Sequence, residues 1–188
     1  MTRSPLFAIV RDRRGVSAVE FALIAPLMLF SYLGVALLCS TLLAQRKADH
    51  VASAMGDLTS QAVTTNQSGQ GDICTVANTI MSPYDSSATA LQMRVSSIVE
   101  SAKGVVTVDW SYPCQGMAKL GAPGTAYSGP ATAYLSPNQS IIVSEVTYAY
   151  SSPLQTLNIS WLPGSHTFTD TFFLQPRQSQ KVTCTDCT

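Results

Sequence analysis

Residues 15–45 read GVSAVEFALIAPLMLFSYLGVALLCSTLLAQ. From Phe21 to Gln45 this segment carries no charged side chain. A helix over that length extends about 38 Å at about 1.5 Å per residue, and the hydrocarbon core of a bilayer is about 30 Å thick. The segment therefore predicts one membrane-spanning helix that crosses the bilayer with some tilt.

Charged residues are few and are divided unevenly around this segment. Only 12% of the 188 residues are charged, with eleven basic and eleven acidic side chains, whereas a soluble domain usually carries about 25%. Residues 1–14 have four arginines and one aspartate, a net charge of +3, and residues 51–188 have five basic and eight acidic side chains, a net charge of −3. Zero net charge and the lack of a basic patch argue against a nucleic-acid-binding protein.

The flanking arginines predict how the helix is oriented in the membrane. Arg11, Arg13 and Arg14 immediately precede the span, and positively charged flanks stay on the cytoplasmic side. Arg46 and Lys47 follow the span and weaken the asymmetry. The N-terminus is therefore expected in the cytoplasm and the C-terminal part outside it.

Two common N-terminal signals fit this segment poorly. A secretory signal peptide has an apolar core of about 7–15 residues, and the uncharged run here is much longer. A lipoprotein signal needs a small residue before its cysteine, but Leu38 precedes Cys39. Cys39 is instead expected to be a small buried hydrophobic residue.

Glu20 lies within the apolar helix and requires an explanation, because a carboxylate inside a bilayer is costly. Cleavage after Gly15 would create an α-amine on Val16, one helical turn from Glu20 on the same face. That amine, or the amine of a neighbouring subunit, would pair with the carboxylate. The alternative is a glutamate in the first helical turn that favours the helix dipole and stays near the lipid headgroups.

The local sequence favours cleavage. The run RRGVSAVEFALIAPLMLF (residues 13–30) resembles the signal of type IV pilins and pseudopilins, which has basic residues, a glycine before the cut and a glutamate at the fifth mature position. Residues 18–26, AVEFALIAP, resemble more narrowly the start of TadE-like proteins, minor pseudopilins of the tight-adherence (Tad/Flp) pilus of bacteria. The strong match covers about 25 residues, and the rest agrees in length, strand content and a C-terminal Pro176-Arg177 pair.

This resemblance implies a structural role in pilus assembly. It implies cleavage between Gly15 and Val16 by a prepilin peptidase, and a role for Glu20 in aligning the subunit with its neighbours. The implied partners are the major pilin, other minor pseudopilins and the inner-membrane assembly platform. The implied location is the bacterial inner membrane, with the head in the periplasm and the subunit at the base or tip of the filament.

Beyond the membrane the sequence predicts a longer helix and a small sheet. Apolar residues at spacings of three and four continue the helix to about residue 62 and are expected to pack under the head's sheet: Ala48, Val51, Met55, Leu58 and Ala62. The polar run 64–71 is expected to be a loop, and Ile73–Ile80 a short helix. The expected segments are a leader over 1–15, a helix over 16–62 and an extracytoplasmic head over 63–188.

Alternating apolar residues predict four strands in the head. Residues 91–99 and 105–112 are expected to form an antiparallel pair, followed by strands at 141–150 and 167–174. The glycines and prolines of residues 113–139 predict an irregular loop. The fold class is therefore α+β and pilin-like, with a long N-terminal helix followed by a small antiparallel sheet.

Four cysteines outside the membrane segment suggest two disulfide bonds in an oxidising compartment: Cys74, Cys114, Cys184 and Cys187. Three pairings are open from the sequence. The preferred one joins Cys74 to Cys114 and Cys184 to Cys187. Closing a loop of about 40 residues would contribute about 3–4 kcal/mol. The sequence does not choose among the pairings.

No catalytic pattern is found, and no cofactor or metal is expected. A Cys-x-x-Cys at residues 184–187 supplies only two zinc ligands, and His50 and His166 are isolated in sequence. The sparse carboxylates form no evident pair, and no phosphate-binding or hydrolase motif is present. The competing hypothesis is an anchored adhesin or sensor whose head binds a ligand through aromatic residues, although their alternation favours core packing: Trp110, Tyr148, Tyr150 and Trp161.

Overall fold

The computed structural model describes residues 16–152 and 165–187. The chain divides into two compact units, with the boundary between Ser40 and Thr41. The described part of the first unit is helical throughout. The second unit contains the sheet, a second helix and the disulfide bonds. The fold is α+β with a long N-terminal helix and a small antiparallel sheet, as the sequence predicts.

Helix α1 extends over Val16–Ser60 and continues through Pro26. Its last 20 residues belong to the second unit. The helix ends two residues before the predicted boundary at residue 62. Arg177 contributes to this end because its backbone N–H donates to the Ser60 carbonyl at 2.9 Å, and its guanidinium forms an ion pair with Asp57.

Helix α2 begins earlier than predicted and corrects the assignment of 64–71 as a loop. Strand β1 covers Thr64–Thr65, and α2 covers Gln67–Met81. Asn66 is the N-cap, and its Oδ1 accepts a hydrogen bond from the Gly69 N–H at 2.7 Å. The first turn contains only polar residues and glycines, so apolar periodicity could not reveal it. A side-chain cap satisfies one of the otherwise unpaired N–H groups of the first turn.

Four strands form the main sheet, in the spatial order β3-β2-β4-β5. They are β2 (Leu91–Glu100), β3 (Val106–Gln115), β4 (Ser140–Ser151) and β5 (Ser165–Leu174), and all neighbours are antiparallel. The predicted antiparallel pair β2 and β3 is confirmed. Strand β3 passes through Pro113, which the sequence assigned to the following loop. An edge strand tolerates a proline because one side of its backbone forms no ladder hydrogen bonds.

Each face of the sheet has its own apolar cluster. The main core lies between the sheet and the two helices and includes Met55, Met81, Leu91 and Trp110. A smaller cluster on the opposite face forms where residues 116–139, including a 3-10 helix at Pro130–Tyr134, pack on the sheet. The sequence predicted only irregular chain there. The loop also pairs with the edge of β3, since the Val108 N–H donates to the Thr125 carbonyl at 2.9 Å.

A short parallel pair joins the C-terminal segment to the start of α2. Strand β6 (Thr183–Cys184) pairs with β1. Trp110 Nε1 donates to the Val182 carbonyl at 2.8 Å, and Lys181 Nζ lies 2.6 Å from Asp109 Oδ1. The C-terminal segment is thereby held against strand β3.

Candidate functional site

The first residues of α1 carry the predicted assembly site. Val16 begins the helix, and Glu20 lies one turn later at the i+4 position. Both side chains are exposed in the isolated chain. Gly15, the predicted residue before the cut, lies outside the described residues, so the site is described here from Val16 onward.

The surrounding helix surface is apolar on every side. Exposed large hydrophobic side chains between residues 16 and 43 include Val19, Phe21, Leu23, Ile24, Leu27, Met28, Leu29, Phe30, Tyr32 and Leu38. The helix is long and apolar enough to cross a membrane, and none of its most apolar stretch is buried. A helix that is apolar all round requires lipid or other helices around it. Among residues 16–152 and 165–187, α1 is the one helix of this kind, which indicates a single-pass membrane protein. Cys39 is exposed in the isolated chain and forms no disulfide bond, so its expected burial depends on lipid around the helix and stays a prediction.

The last third of α1 has a different surface. It buries an arc of small residues and two larger ones against the head: Ala44, Ala48, Val51, Ala52, Met55, Gly56, Thr59 and Ser60. The predicted packing of the helix under the head's sheet is confirmed, but Leu58 is 39% exposed. Compared with the predicted stripe, the buried side of the helix is shifted from Leu58 toward smaller residues such as Gly56, because the sheet approaches the helix closely there. A Cβ built on Gly56 would lie 2.4 Å from Leu174 Cδ1 and 3.3 Å from Ser144 Cβ.

Along the chain, an apolar helix that carries one glutamate is therefore followed by a head that packs against the end of that helix. Residues 15–55 match the model of the TadE-like protein family. The resemblance seen in AVEFALIAP is confirmed over this segment. No curated protein and no solved structure matches the chain.

The TadE-like match indicates a component associated with the tight-adherence pilus. The matched residues contain the whole exposed apolar part of α1 and extend to Met55 in the head. They therefore include both Glu20 and the start of the contact between α1 and the sheet. The remainder of the head, residues 56–188, lies outside the matched segment.

Both disulfide bonds that the sequence preferred are present in the head. Cys74 of α2 bonds to Cys114 of β3, and Cys184 bonds to Cys187. Asp186 lies between Cys184 and Cys187 in the chain. Its Oδ1 accepts a hydrogen bond from the N–H of Gln67, the first residue of α2, at 2.7 Å. Cys184, Asp186 and Cys187 are close enough to be considered as metal ligands. The two sulfurs are bonded to each other, however, and zinc binding requires free thiolates.

One carboxyl pair was missed in the sequence. Asp49 of α1 and Asp170 of β5 are distant in the chain, and the tertiary structure brings their carboxyl groups together. Burial raises the pKa of Asp170 to about 6, and a hydrogen bond and the negative charge of Asp49 add to the effect. No such pair was evident in the sequence, because the two residues are 121 positions apart. The only sequence signal was an isolated aspartate on the helix-facing side of a strand.

The core packing that the alternation favoured is confirmed for three of the four aromatic residues. Trp110, Tyr148 and Tyr150 are 2%, 2% and 4% exposed and belong to the main core. Trp161 lies outside the described residues. His50 and His166 are both exposed, and His166 stacks on Phe168 with ring centroids 6.4 Å apart. These three aromatic residues are therefore buried and unavailable to a ligand, which removes their support for the adhesin hypothesis.

Proposed function

We propose that this protein is a minor pseudopilin that takes part in assembly of a tight-adherence pilus, processed by a prepilin peptidase and placed at the base or tip of the filament. One observation carries the proposal. Glu20 is an acidic residue in an otherwise apolar, exposed stretch of helix, four residues after Val16, and it lies within the segment that matches TadE-like proteins.

The chemistry of Glu20 supports assembly through helix contacts. A carboxylate in an apolar setting gains most from a cation that shares its desolvated environment. Cleavage after Gly15 would supply such a cation as the new amine of Val16, on the same subunit or on the next. The exposed side chains around Glu20 would then pack against neighbouring helices, and the paired charges would fix their register.

The remaining features are consistent with a subunit of this kind. The basic leader before the helix favours a cytoplasmic N-terminus, where a membrane peptidase would cut. The disulfide bonds favour a periplasmic head, because they persist in oxidising compartments. The proposed partners are the major pilin, other minor pseudopilins, the inner-membrane assembly platform and membrane lipid. We propose no catalytic activity and no cofactor.

The first prediction concerns processing. In cells with an active prepilin peptidase, we expect the membrane-extracted protein to begin at Val16, because Gly15 and Glu20 match the cleavage pattern. Intact mass spectrometry checks this. The control is the Gly15→Leu variant, which should keep its leader, as should the wild type in cells without the peptidase. Mature protein that begins at Met1 in normal cells contradicts the proposal.

The second prediction concerns Glu20. Glu20→Ala is expected to insert in the membrane normally, because insertion depends on apolar length, and to reduce pilus number at least about tenfold, because an unpaired buried amine remains. Electron microscopy of sheared pili measures the effect. Asp72→Ala removes an exposed carboxylate of α2 and should leave pili unchanged. Normal piliation with Glu20→Ala would exclude a role for this side chain in assembly.

A further inference from the structure

A groove opens on the face of the sheet opposite α1, between the 3-10 helix and the end of β5. Its main cavity has a volume of about 430 Å³ and is lined by Tyr134, Ile141, Thr171, Phe172, Phe173 and Gln175. A second cavity of about 110 Å³ shares Gln175 and extends toward the C-terminal segment. The larger volume falls in the range of small-molecule sites, about 300–1,000 Å³.

Aromatic rings form one wall of the groove. Tyr134 and Phe173 stack with centroids 5.5 Å apart and an interplanar angle of 27°. Tyr134 is 58% exposed, and Phe172 is 37% exposed. The Phe173 ring therefore supports a tyrosine ring that stays accessible to solvent. Such a platform presents an apolar, polarisable face to a flat ligand.

Uncharged polar groups form the other part of the groove. The second cavity is lined by the polar residues Gln139, Ser140, Gln175, Ser179 and Gln180, together with Pro176. Ser140 is 2% exposed, and its hydroxyl oxygen has no hydrogen-bond partner within the described parts of the chain. The Ser140 hydroxyl is buried, so the polar side chains of this cavity that a ligand can reach are those of the exposed Gln139, Gln175 and Gln180.

The groove carries no net charge in the part of the chain that the structure describes. None of the side chains given above as its lining is ionisable at neutral pH. The nearest cations in sequence are engaged elsewhere: Arg177 pairs with Asp57, and Lys181 pairs with Asp109. On the same face of the sheet, Arg94 Nη2 donates to Glu145 Oε1 at 2.8 Å. None of the residues that line the two cavities carries a positive charge to pair with an anionic ligand.

We propose that this groove binds neutral saccharide units. A sugar ring has an apolar face that stacks on an exposed aromatic ring and a rim of hydroxyls that pair with amide and hydroxyl side chains. The groove offers Tyr134 for stacking, Gln175 at the junction of the two cavities, and Gln139 and Gln180 in the second cavity. This function is additional to pilus assembly and does not depend on it.

The test uses the full chain in polyoxyethylene-ether micelles, whose headgroups contain no sugar. The protein is applied to an array of neutral, sialylated and sulfated glycans, and the best neutral oligosaccharide is then titrated by calorimetry. We expect neutral glycans to bind with a dissociation constant of about 1 mM or lower, and anionic glycans to bind no better than their neutral counterparts.

Variants locate the binding. Tyr134→Ala should weaken binding about fivefold to tenfold by removing the stacking surface, whereas Tyr134→Phe should stay within about twofold because it keeps the ring. Gln175→Ala, at an exposed position, should weaken binding at least about threefold through the loss of a hydrogen bond. Gln178→Ala is the matched control, since Gln178 is exposed but lines neither cavity.

Fluorescence of the buried Trp110 and the melting temperature verify that each variant is folded. If Tyr134→Ala is unfolded, Gln175→Ala still decides the question. The proposal is overturned if no neutral glycan binds, if only anionic glycans bind, or if binding is the same in folded Tyr134→Ala and Gln175→Ala as in the wild type. Capture of another pilus subunit through Tyr134, without glycan binding, would equally reject it.

Discussion

The two parts of helix α1 differ both in composition and in what surrounds them, since residues 16–40 have one charged side chain and residues 41–60 have four. Residues 16–40 expose large side chains such as Phe21 and Leu23, whereas residues 41–60 bury Val51 and Met55 almost completely. Both parts are continuous α-helix. In the first part the described residues leave the apolar surface uncovered, and in the second the sheet covers it.

Corresponding residues in the two parts show the same contrast. A Cβ built on Gly34 would meet nothing within 4 Å, whereas one on Gly56 would collide with Leu174. Glu20 has an exposed side chain in the isolated chain, while Asp49 lies beside Asp170. The same substitution is therefore expected to affect stability differently in the two parts, because only the part of α1 that contacts the head is closely packed.

The largest expected effect comes from the two glycines. Gly56→Leu should lower the free energy of unfolding of the head by about 2–3 kcal/mol, because the new side chain must displace Leu174 and Ser144. Gly34→Leu should change it by less than about 0.5 kcal/mol. Denaturant titration of the full chain in micelles, followed by tryptophan fluorescence, measures both.

Equal destabilisation by the two leucines would break the comparison, since it would mean that residues 16–40 are also packed against the head. A stable Gly56→Leu head would show that the sheet can move away from the helix. Gly56→Ala provides an intermediate step, because a single methyl group collides mainly with the end of the Leu174 side chain.

A smaller effect is expected from the carboxyl pair in the head-bound part. The pKa of Asp170 is raised from its ordinary value of 3.8 to about 6 by burial and by Asp49. A raised folded-state pKa means that the folded form binds the proton more tightly than the unfolded chain does. The stability that this proton provides is fully present below pH 4 and is lost as the pH rises through 6.

Asp170→Asn should therefore stabilise the head at pH 7 by about 1 kcal/mol, a figure reduced for solvent screening. The difference from the wild type should disappear near pH 4. Denaturant midpoints measured from pH 4 to pH 7.5 test this, and Asp72→Asn serves as an exposed control. A constant difference over that range would show that Asp49 and Asp170 do not share a proton.

Local patterns predicted the main elements because the spacing of apolar residues in a segment reflects which of its faces is buried. The uncharged run 21–45 indicated a membrane helix, and the alternation in residues 91–99 and 141–150 indicated strands that the structure has. The beginning of α2 escaped because the Asn66 cap and the polar residues after it have no apolar periodicity. The 3-10 helix at Pro130–Tyr134 lies in a stretch whose glycines and prolines suggested only loop.

Contacts between distant residues could not be predicted in the same way. Asp49 and Asp170 meet because the register of β5 against β4 places Asp170 on the face that packs against α1. The groove requires Tyr134 to lie over Phe173, which depends on how residues 116–139 fold back on the sheet. Neither pairing has a local sequence signal.

The sequence by itself determined that this chain has a membrane helix with an acidic residue near its start, followed by an α+β head with paired cysteines. Charge, apolar length and alternation are local properties, because the preference of each segment for water or lipid depends on its own side chains. Only the tertiary structure decided which side of α1 is covered, which carboxylates meet and where a groove opens. Those outcomes depend on close packing between segments far apart in the chain, and close packing is a property of the assembled head.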